Sequence, residues 1–294
     1  MRTAAQILAE HRIVGRGNKS VFATTCPQCS HARRKKRDRC LSVLIDGRGV
    51  RANCHHCQWV LAEFFDGPRA PIAASKPTIV EHDGDDDQAR IRRARQIWEQ
   101  SVDPTGTLVG TYLAGRKLHL PACLVGRVIR FYAACPWRDD DTDRLIHVRA
   151  MIAAMRDIRS DELRAVQVTA LGAHGAKIAR KIRGVAAGAA IKLDPHEAVT
   201  MGLGVAEGFE NALVPYLMGW HPVWALGSAG AIAEFPALPG IECLTIFADH
   251  DENRTGEDAA RTCAEIVRSS GTEVVVRLSK AKDWNASILG RSAT

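Results

Sequence analysis

Two short apolar runs that end on acidic residues constrain the fold of the C-terminal third of this chain. Residues 203–206 lead into Glu207, and residues 244–247 are followed by Asp249 and Asp251. Short apolar runs of this kind are typical of strands inside a parallel sheet. The carboxyl ends of such strands meet at one edge, where open α/β sheets bind their ligands. We therefore expect the three carboxylates to lie close together there.

The three acids predict a metal site. Carboxylates this close repel one another unless a cation neutralises them. Carboxylate oxygens suit Mg²⁺, and a magnesium ion held by a few acids most often acts on phosphates. Magnesium is therefore the expected ion, with manganese as the alternative. The other interpretation is that the acids begin helices, because Asp and Glu favour first turns.

The segments around these acids resemble the Toprim domain, which bacterial-type primases, type IA and II topoisomerases and some nucleases share. The resemblance rests on Val-Ala-Glu-Gly-Phe-Glu-Asn-Ala at 205–212 and on Asp249-His-Asp251. Lys-Asp-Trp-Asn at 282–285 is similar to the Lys-Asp-x-Asn segment that ends the Toprim domain of phage and plasmid primases. One departure is the spacing, because four residues separate Asp251 from Gly256 where primases often have two.

That resemblance implies a set of catalytic acids, namely Glu207, Asp249, Asp251 and Asp283. Asp249 and Asp251 are the expected magnesium ligands, and Asp283 is a further candidate. Glu207 is either a general base or another ligand, and the sequence does not separate these roles.

Two Cys-x-x-Cys pairs lie near the N-terminus, with 24 residues between them. Two such pairs predict a four-thiolate zinc site, which staples hairpins too small to bury a core. The expected ligands are Cys26, Cys29, Cys54 and Cys57. His31, His55 and His56 are alternative ligands, and Cys40 is expected to pack as a small apolar residue. Nine cysteines without a signal peptide favour metal ligation and buried thiols over disulfides.

Charge is concentrated in the same part of the chain. Residues 1–66 contain 12 Lys/Arg against 5 Asp/Glu, which equals the formal net charge of +7 for the whole chain. A basic module on a neutral body indicates contact with a polyanion. The expected nucleic-acid contacts are Arg33, Arg34, Lys35, Lys36 and Trp59. The alternatives are a solvated loop and a tryptophan that packs against the zinc module.

The cysteine segments resemble the zinc ribbon that begins phage primase-helicases. Cys-Pro-Gln-Cys-Ser-His at 26–31, Cys-Leu-Ser-Val at 40–43 and Cys-His-His-Cys at 54–57 carry this resemblance. It implies that the ribbon reads a single-stranded template and helps to choose where synthesis starts.

A basic segment precedes the acids in the chain. Residues 174–184 carry Lys177, Arg180 and Lys181, and they loosely resemble part of the primase polymerase core. The resemblance implies that these three side chains hold a nucleoside triphosphate. A solvated basic face is the alternative interpretation.

The expected fold class is α/β, with three folded parts and one linker. A β zinc ribbon that binds template spans 1–66, and a Pro-, Gly- and Asp-rich flexible linker spans 67–88. A mixed α+β region, the N-terminal part of a primase catalytic core, spans 89–198. A Toprim-like parallel sheet flanked by helices spans 199–294. With no apolar run long enough for a membrane span, we expect a cytoplasmic protein without a membrane partner.

The predicted activity is that of a DNA primase, which makes short RNA primers on single-stranded DNA from ribonucleoside triphosphates. The chain lacks a Walker A loop, which indicates that it has no helicase motor of its own. A replicative helicase acting in trans is a candidate partner, which the sequence does not decide. Two alternatives are a Toprim-type nuclease and a non-catalytic DNA-binding mediator of replication or recombination. The zinc ribbon counts against the first, and the intact acid set counts against the second.

Overall fold

The computed structural model describes residues 2–15, 20–32, 36, 39–54, 56–57, 59–65, 84–140, 142–250 and 252–289. The chain divides into two compact units, one formed by residues 1–80 with 136–146 and the other by 81–135 with 147–294. Most of the expected linker, together with Asp251, His55, Arg33, Arg34 and Lys35, lies outside the described residues.

The first unit contains a small antiparallel sheet. Its elements are α1 (Ala4–Glu10), β1 (Val21–Thr24), β2 (Leu41–Asp46), β3 (Gly49–Cys54) and β4 (Val60–Phe64). The strands pair in chain order, and each alternates buried and exposed residues along at least part of its length. Apolar residues of the inner face pack with Cys26, Cys40 and Cys54 in one small core. The predicted N-terminal β ribbon is confirmed.

The second unit begins with helices and long antiparallel strands. They are α2 (Gly84–Glu99), α3 (Leu108–Ala114), β5 (Ile129–Arg138), β6 (Leu145–Asp157), β7 (Leu163–Leu171), β8 (Lys177–Gly184) and β9 (Ala189–Lys192). Helix α2 begins at Gly84, so the last five residues of the expected linker are helical. The acidic run at 85–87 explains this difference, because carboxylates stabilise the N-terminal turn of a helix.

The C-terminal part alternates strands and helices. Its elements are β10 (Gly202–Ala206), α4 (Phe209–Leu217), β11 (Val223–Ala225), α5 (Ala229–Ala233), β12 (Cys243–Ala248), α6 (Thr255–Arg268), β13 (Glu273–Leu278) and α7 (Trp284–Leu289). Strand β10 runs parallel to β11 and β12, and β12 runs parallel to β13. The predicted α/β class with a parallel C-terminal sheet is confirmed.

The described strands of the second unit form one continuous sheet rather than two. Its order is β13-β12-β10-β11-β9-β6-β7-β8, with β5 paired to β6. The antiparallel pairing of β9 with β11 joins the two halves. One face packs against apolar residues of α3 and α4, and the other face of the C-terminal half packs against α5 and α6. Among the described residues, no helix is both long enough and apolar enough to cross a bilayer.

Candidate active site and zinc cluster

Four cysteines of the first unit form a compact sulfur cluster. The ligand atoms of Cys26, Cys29, Cys54 and Cys57 all lie within 4.8 Å of one another. Two of the Sγ–Sγ distances are 3.7 and 3.8 Å. A tetrahedral zinc ion with Zn–S bonds of about 2.3 Å separates its sulfur ligands by about 3.8 Å. The predicted ligand set therefore fits zinc.

Local sequence explains how this cluster forms. The backbone N–H groups of His56 and Cys57 both donate to Cys54 Sγ at 3.4 Å. Such a tight turn presents two thiols from one Cys-x-x-Cys segment. Cys40 lies beside the cluster, with its Sγ 3.6 Å from that of Cys54. It is buried in the ribbon core, as expected.

The predicted nucleic-acid contacts of the ribbon are only partly described. Lys36 is exposed. Trp59 is half-buried, packs against the ribbon core and has its ring 6.3 Å from that of His11. This position favours the packing interpretation of Trp59.

Two of the predicted acids come directly after adjacent parallel strands, at one edge of the second unit's sheet. The register of β10 with β12 runs from Gly202 opposite Cys243 to Ala206 opposite Phe247. Glu207 and Asp249 follow these strands and are half-buried. Neighbouring strands are about 4.8 Å apart, so this register brings the two backbones together. The edge is the one that the apolar runs predicted.

An amide side chain orients Asp249. Asn211 lies in the first turns of α4, and its Nδ2 donates to both carboxylate oxygens of Asp249 at 2.9 Å. Asn211 Oδ1 accepts from the backbone N–H of Asn285 at 3.1 Å. Hydrogen bonds of this kind fix the direction of a carboxylate.

The 282–285 segment lies beside the end of β12. The Lys282 carbonyl accepts from the backbone N–H of His250 at 3.0 Å, and Trp284 Nε1 donates to the Ala248 carbonyl at 3.2 Å. The carboxylate of Asp283 accepts from the backbone N–H of Ala286 at 2.6 Å. Asp283 thus caps α7, in a segment that lies beside the strand end followed by Asp249.

A bulge in β8 brings two predicted basic residues onto one face. Leu171 pairs with Lys177 and Ala170 pairs with Ala179, so Ile178 is an extra residue in the ladder. Directly paired residues point to the same side of a sheet. Because of the bulge, Lys177 and Arg180 share a face although they are three residues apart. Lys181 lies on the opposite face.

This basic face meets the loop of Glu207. A Cβ built on Gly208 would lie 3.6 Å from Arg180 Nη1, so the guanidinium passes next to that glycine. Burial lowers the pKa of Lys177, opposed chiefly by the charge of Glu210 and also by that of Asp283. Cations of the long β8 strand and acids of the C-terminal segment therefore lie around one site.

Several residues of this site escaped the sequence interpretation. Glu210 is buried and accepts a hydrogen bond from the hydroxyl of Tyr112 in α3. Burial, together with the charge of Glu210, raises the pKa of that phenol. Arg116 Nη1 donates to Asn285 Oδ1 at 2.7 Å. Glu210, Asn211 and Asn285 lie within the two segments that carried the Toprim resemblance, and this was the signal that could have found them.

Comparison with family models gives two matches. Residues 202–293 match the Toprim domain, and residues 88–193 match a domain of unknown function (DUF7146). Among proteins with curated functions, none matches this sequence.

Comparison with solved structures finds primase domains. One is a DNA primase domain from Pseudomonas aeruginosa, with 15% identity, a TM-score of 0.48 and coverage of 68% of this chain and 74% of that one. Another comprises the zinc-binding and RNA polymerase domains of the Aquifex aeolicus primase, with 10% identity, a TM-score of 0.46 and coverage of 97% and 79%.

The family match covers each acid-bearing segment of the C-terminal part. It contains Glu207, Asp249, Asp251 and Asp283, together with Asn211 and Asn285. The resemblance that these segments predicted is confirmed, and residues 202–293 of this chain are a Toprim domain.

Proposed function

We propose that this protein is a DNA primase that joins ribonucleotides on a single-stranded DNA template. The observation that carries the proposal is the position of Glu207 and Asp249 at adjacent strand ends, with Arg180 of β8 next to Gly208 in the loop of Glu207. Carboxylates with guanidinium and ammonium groups nearby suit a metal-bound triphosphate, because carboxylates bind the metal ion and cations bind the phosphates. The zinc ribbon and the basic N-terminal segment add a module suited to a nucleic-acid template.

The chain's own residues would divide the work of nucleotidyl transfer. Asp249, oriented by Asn211, and the predicted Asp251 would hold magnesium or manganese, with Asp283 close by. Glu207 would accept a proton from the attacking 3′-hydroxyl or complete the ligand set. Lys177 and Arg180 would bind the triphosphate and offset the negative charge that develops on it. A bound divalent ion supplies charge neutralisation and alignment of the phosphates.

The test is an extension assay with single-stranded DNA, magnesium and labelled ribonucleoside triphosphates. We expect short labelled RNA from the wild-type protein and none from Asp249→Ala, which should still bind DNA. Shortened DNA would instead support the nuclease, and DNA retention without turnover would support the mediator.

Two neighbouring basic residues provide a matched pair of variants. Arg180→Ala should reduce synthesis by about 10²-fold or more, which is typical when a group that stabilises developing charge is removed. Lys181→Ala changes the next residue on the opposite face of β8 and should reduce it by less than about threefold. Equal losses would contradict the assignment of the β8 face.

A further inference from the structure

Two polar side chains are buried in the sheet without hydrogen-bond partners. Gln167 and Thr169 of β7 are 0% exposed. Both polar atoms of the Gln167 amide and the hydroxyl of Thr169 lack a partner among the described residues. A buried amide or hydroxyl without a partner opposes folding, so such groups are rare and require an explanation.

These side chains point toward the candidate active site. Thr169 is paired with Arg180, and Gln167 is paired with Ile182, so all four lie on one face of the sheet. On the other side of β7, they are paired with Met151 and Ala153 of β6, which belong to the core on that face.

The loops at the ends of β10 and β11 pass over the same face. A Cβ built on Gly227 would lie 3.2 Å from Met155 Cε and 3.6 Å from Ile182 Cδ1. The Gly227 N–H donates to the Glu207 carbonyl at 2.7 Å, which joins the two loops. Gln167 and Thr169 therefore lie on the sheet face that these two loops cover, and we call the pair the polar floor.

Arg180 connects this floor to the surface. It is half-buried, it is paired directly with Thr169, and its guanidinium passes next to Gly208. Movement of that side chain toward an anion would uncover the hydroxyl beneath it. Ile182, which is paired with Gln167, is also only half-buried.

We infer that Gln167 and Thr169 bind the nucleoside half of the incoming nucleotide; this rests on the proposed function. The Gln167 amide carries two hydrogen-bond donors and an acceptor, and the Thr169 hydroxyl can both donate and accept. The polar edge of a base and the hydroxyls of a sugar offer hydrogen-bond partners for these two side chains. The phosphates would instead be bound by the cations of β8. A site built to hydrogen-bond a ligand discriminates strongly against ligands that lack the matching groups.

The experiment uses two variants of similar volume, Thr169→Val and Gln167→Met, in the full-length protein. Calorimetry would measure binding of a ribonucleoside triphosphate and of inorganic tripolyphosphate, both with magnesium. Each variant should bind the nucleotide about tenfold more weakly, as expected for the loss of about one hydrogen bond. Each should bind tripolyphosphate as the wild-type protein does.

Thermal melting provides a second measurement, because a purely structural role of these side chains predicts a different change in melting temperature. Removing unpartnered polar groups from a core should leave the melting temperature unchanged or raise it. A lower melting temperature in both variants would mean that these groups hold the fold together, and it would overturn the inference. Thr245→Val, at a buried threonine of β12, is the matched control and should leave nucleotide affinity unchanged.

The outcomes separate this inference from the proposed function. If both variants bind the nucleotide with the affinity of the wild-type protein, the inference is overturned and the proposed function is not. A parallel loss of tripolyphosphate binding would overturn it as well, because the effect would lie at the phosphates. Failure of the wild-type protein to bind either ligand would overturn the proposed function and the inference together.

Discussion

At the scale of single residues, the site depends on neutral groups that orient charged ones. Asn211 contributes no charge, yet it contacts both oxygens of Asp249 and the backbone of Asn285. An amide at this position holds the carboxylate without adding to the repulsion among the acids. Tyr112 acts similarly on the buried Glu210. The acids are therefore positioned by partners that no charge pattern in the sequence reveals.

Replacing Asn211 with leucine tests this role. The Asn211→Leu variant removes the two hydrogen bonds to Asp249 and should weaken divalent-ion affinity by about 10- to 100-fold. We would measure activity against magnesium concentration. The half-saturating concentration should rise, and saturating magnesium should recover much of the rate.

A loss of rate that magnesium does not recover would contradict a role through Asp249. Circular dichroism of the variant provides the control for folding. Asn211→Gln keeps the amide at the end of a longer side chain. Its half-saturating magnesium concentration should lie between those of the Asn211→Leu variant and the wild type.

At the scale of elements, both sites lie where one element packs closely on another. In the ribbon, two turns bring four thiols together beside a small core that α1 and short strands form. In the second unit, the N-terminus of α6 packs directly on the backbone that follows β12. A Cβ at Gly256 would lie 2.5 Å from the Asp249 carbonyl oxygen, so only glycine allows this approach.

Metal analysis of cysteine variants tests the ribbon. We expect one zinc ion per wild-type chain and none after Cys26→Ser or Cys54→Ser, with loss of ordered structure in the ribbon. Cys40→Ser changes a thiol outside the group of four and should retain the ion. Equal zinc loss from Cys40→Ser would contradict this ligand set.

Glycine-to-alanine variants test the packing of α6. Gly256→Ala should destabilise the protein by about 1–3 kcal/mol, because the added methyl group has no space, and it should lower activity by displacing Asp249. Gly110→Ala is the matched control, since a Cβ at Gly110 in α3 would meet nothing within 4 Å. It should stabilise the protein by about 0.5–1 kcal/mol. Denaturant unfolding measures both, and similar effects at the two positions would contradict the packing argument.

At the scale of the whole molecule, local patterns predicted the parts but not their connections. The position of Glu207 and Asp249 at neighbouring strand ends could be predicted from the sequence, because an apolar run that ends on an acid is a local signal. The four zinc-type cysteines were found from their spacing in the same way. The pairs Tyr112–Glu210 and Arg116–Asn285, which are 98 and 169 residues apart, depend on the continuous sheet. The bulge at Ile178 depends on the register of two strands, which no single segment specifies.

The contact between Arg116 and Asn285 should couple the two halves of the second unit. Arg116 Nη1 donates to Asn285 Oδ1 at 2.7 Å, and Asn285 Nδ2 donates to the Arg116 carbonyl at 3.0 Å. Asn285 is 1% exposed, so Arg116→Ala leaves a buried oxygen without its donor. We expect a loss of about 1–3 kcal/mol in the free energy of unfolding. Lys117→Ala, at the exposed next residue, should change it by less than about 0.5 kcal/mol.

A double-mutant cycle with Asn285→Ala isolates the coupling, which should be about 1 kcal/mol because the two residues are in contact. The backbone N–H of Asn285 donates to Asn211, which in turn contacts Asp249. Displacement of Asn285 in the Arg116→Ala variant should therefore raise the magnesium concentration needed for half-maximal activity. The same shift in magnesium requirement should appear in Asn285→Ala, and the double variant should show little more. Strictly additive effects on stability, or an unchanged magnesium requirement in both single variants, would mean that α3 acts independently of the sheet edge that carries Asp249.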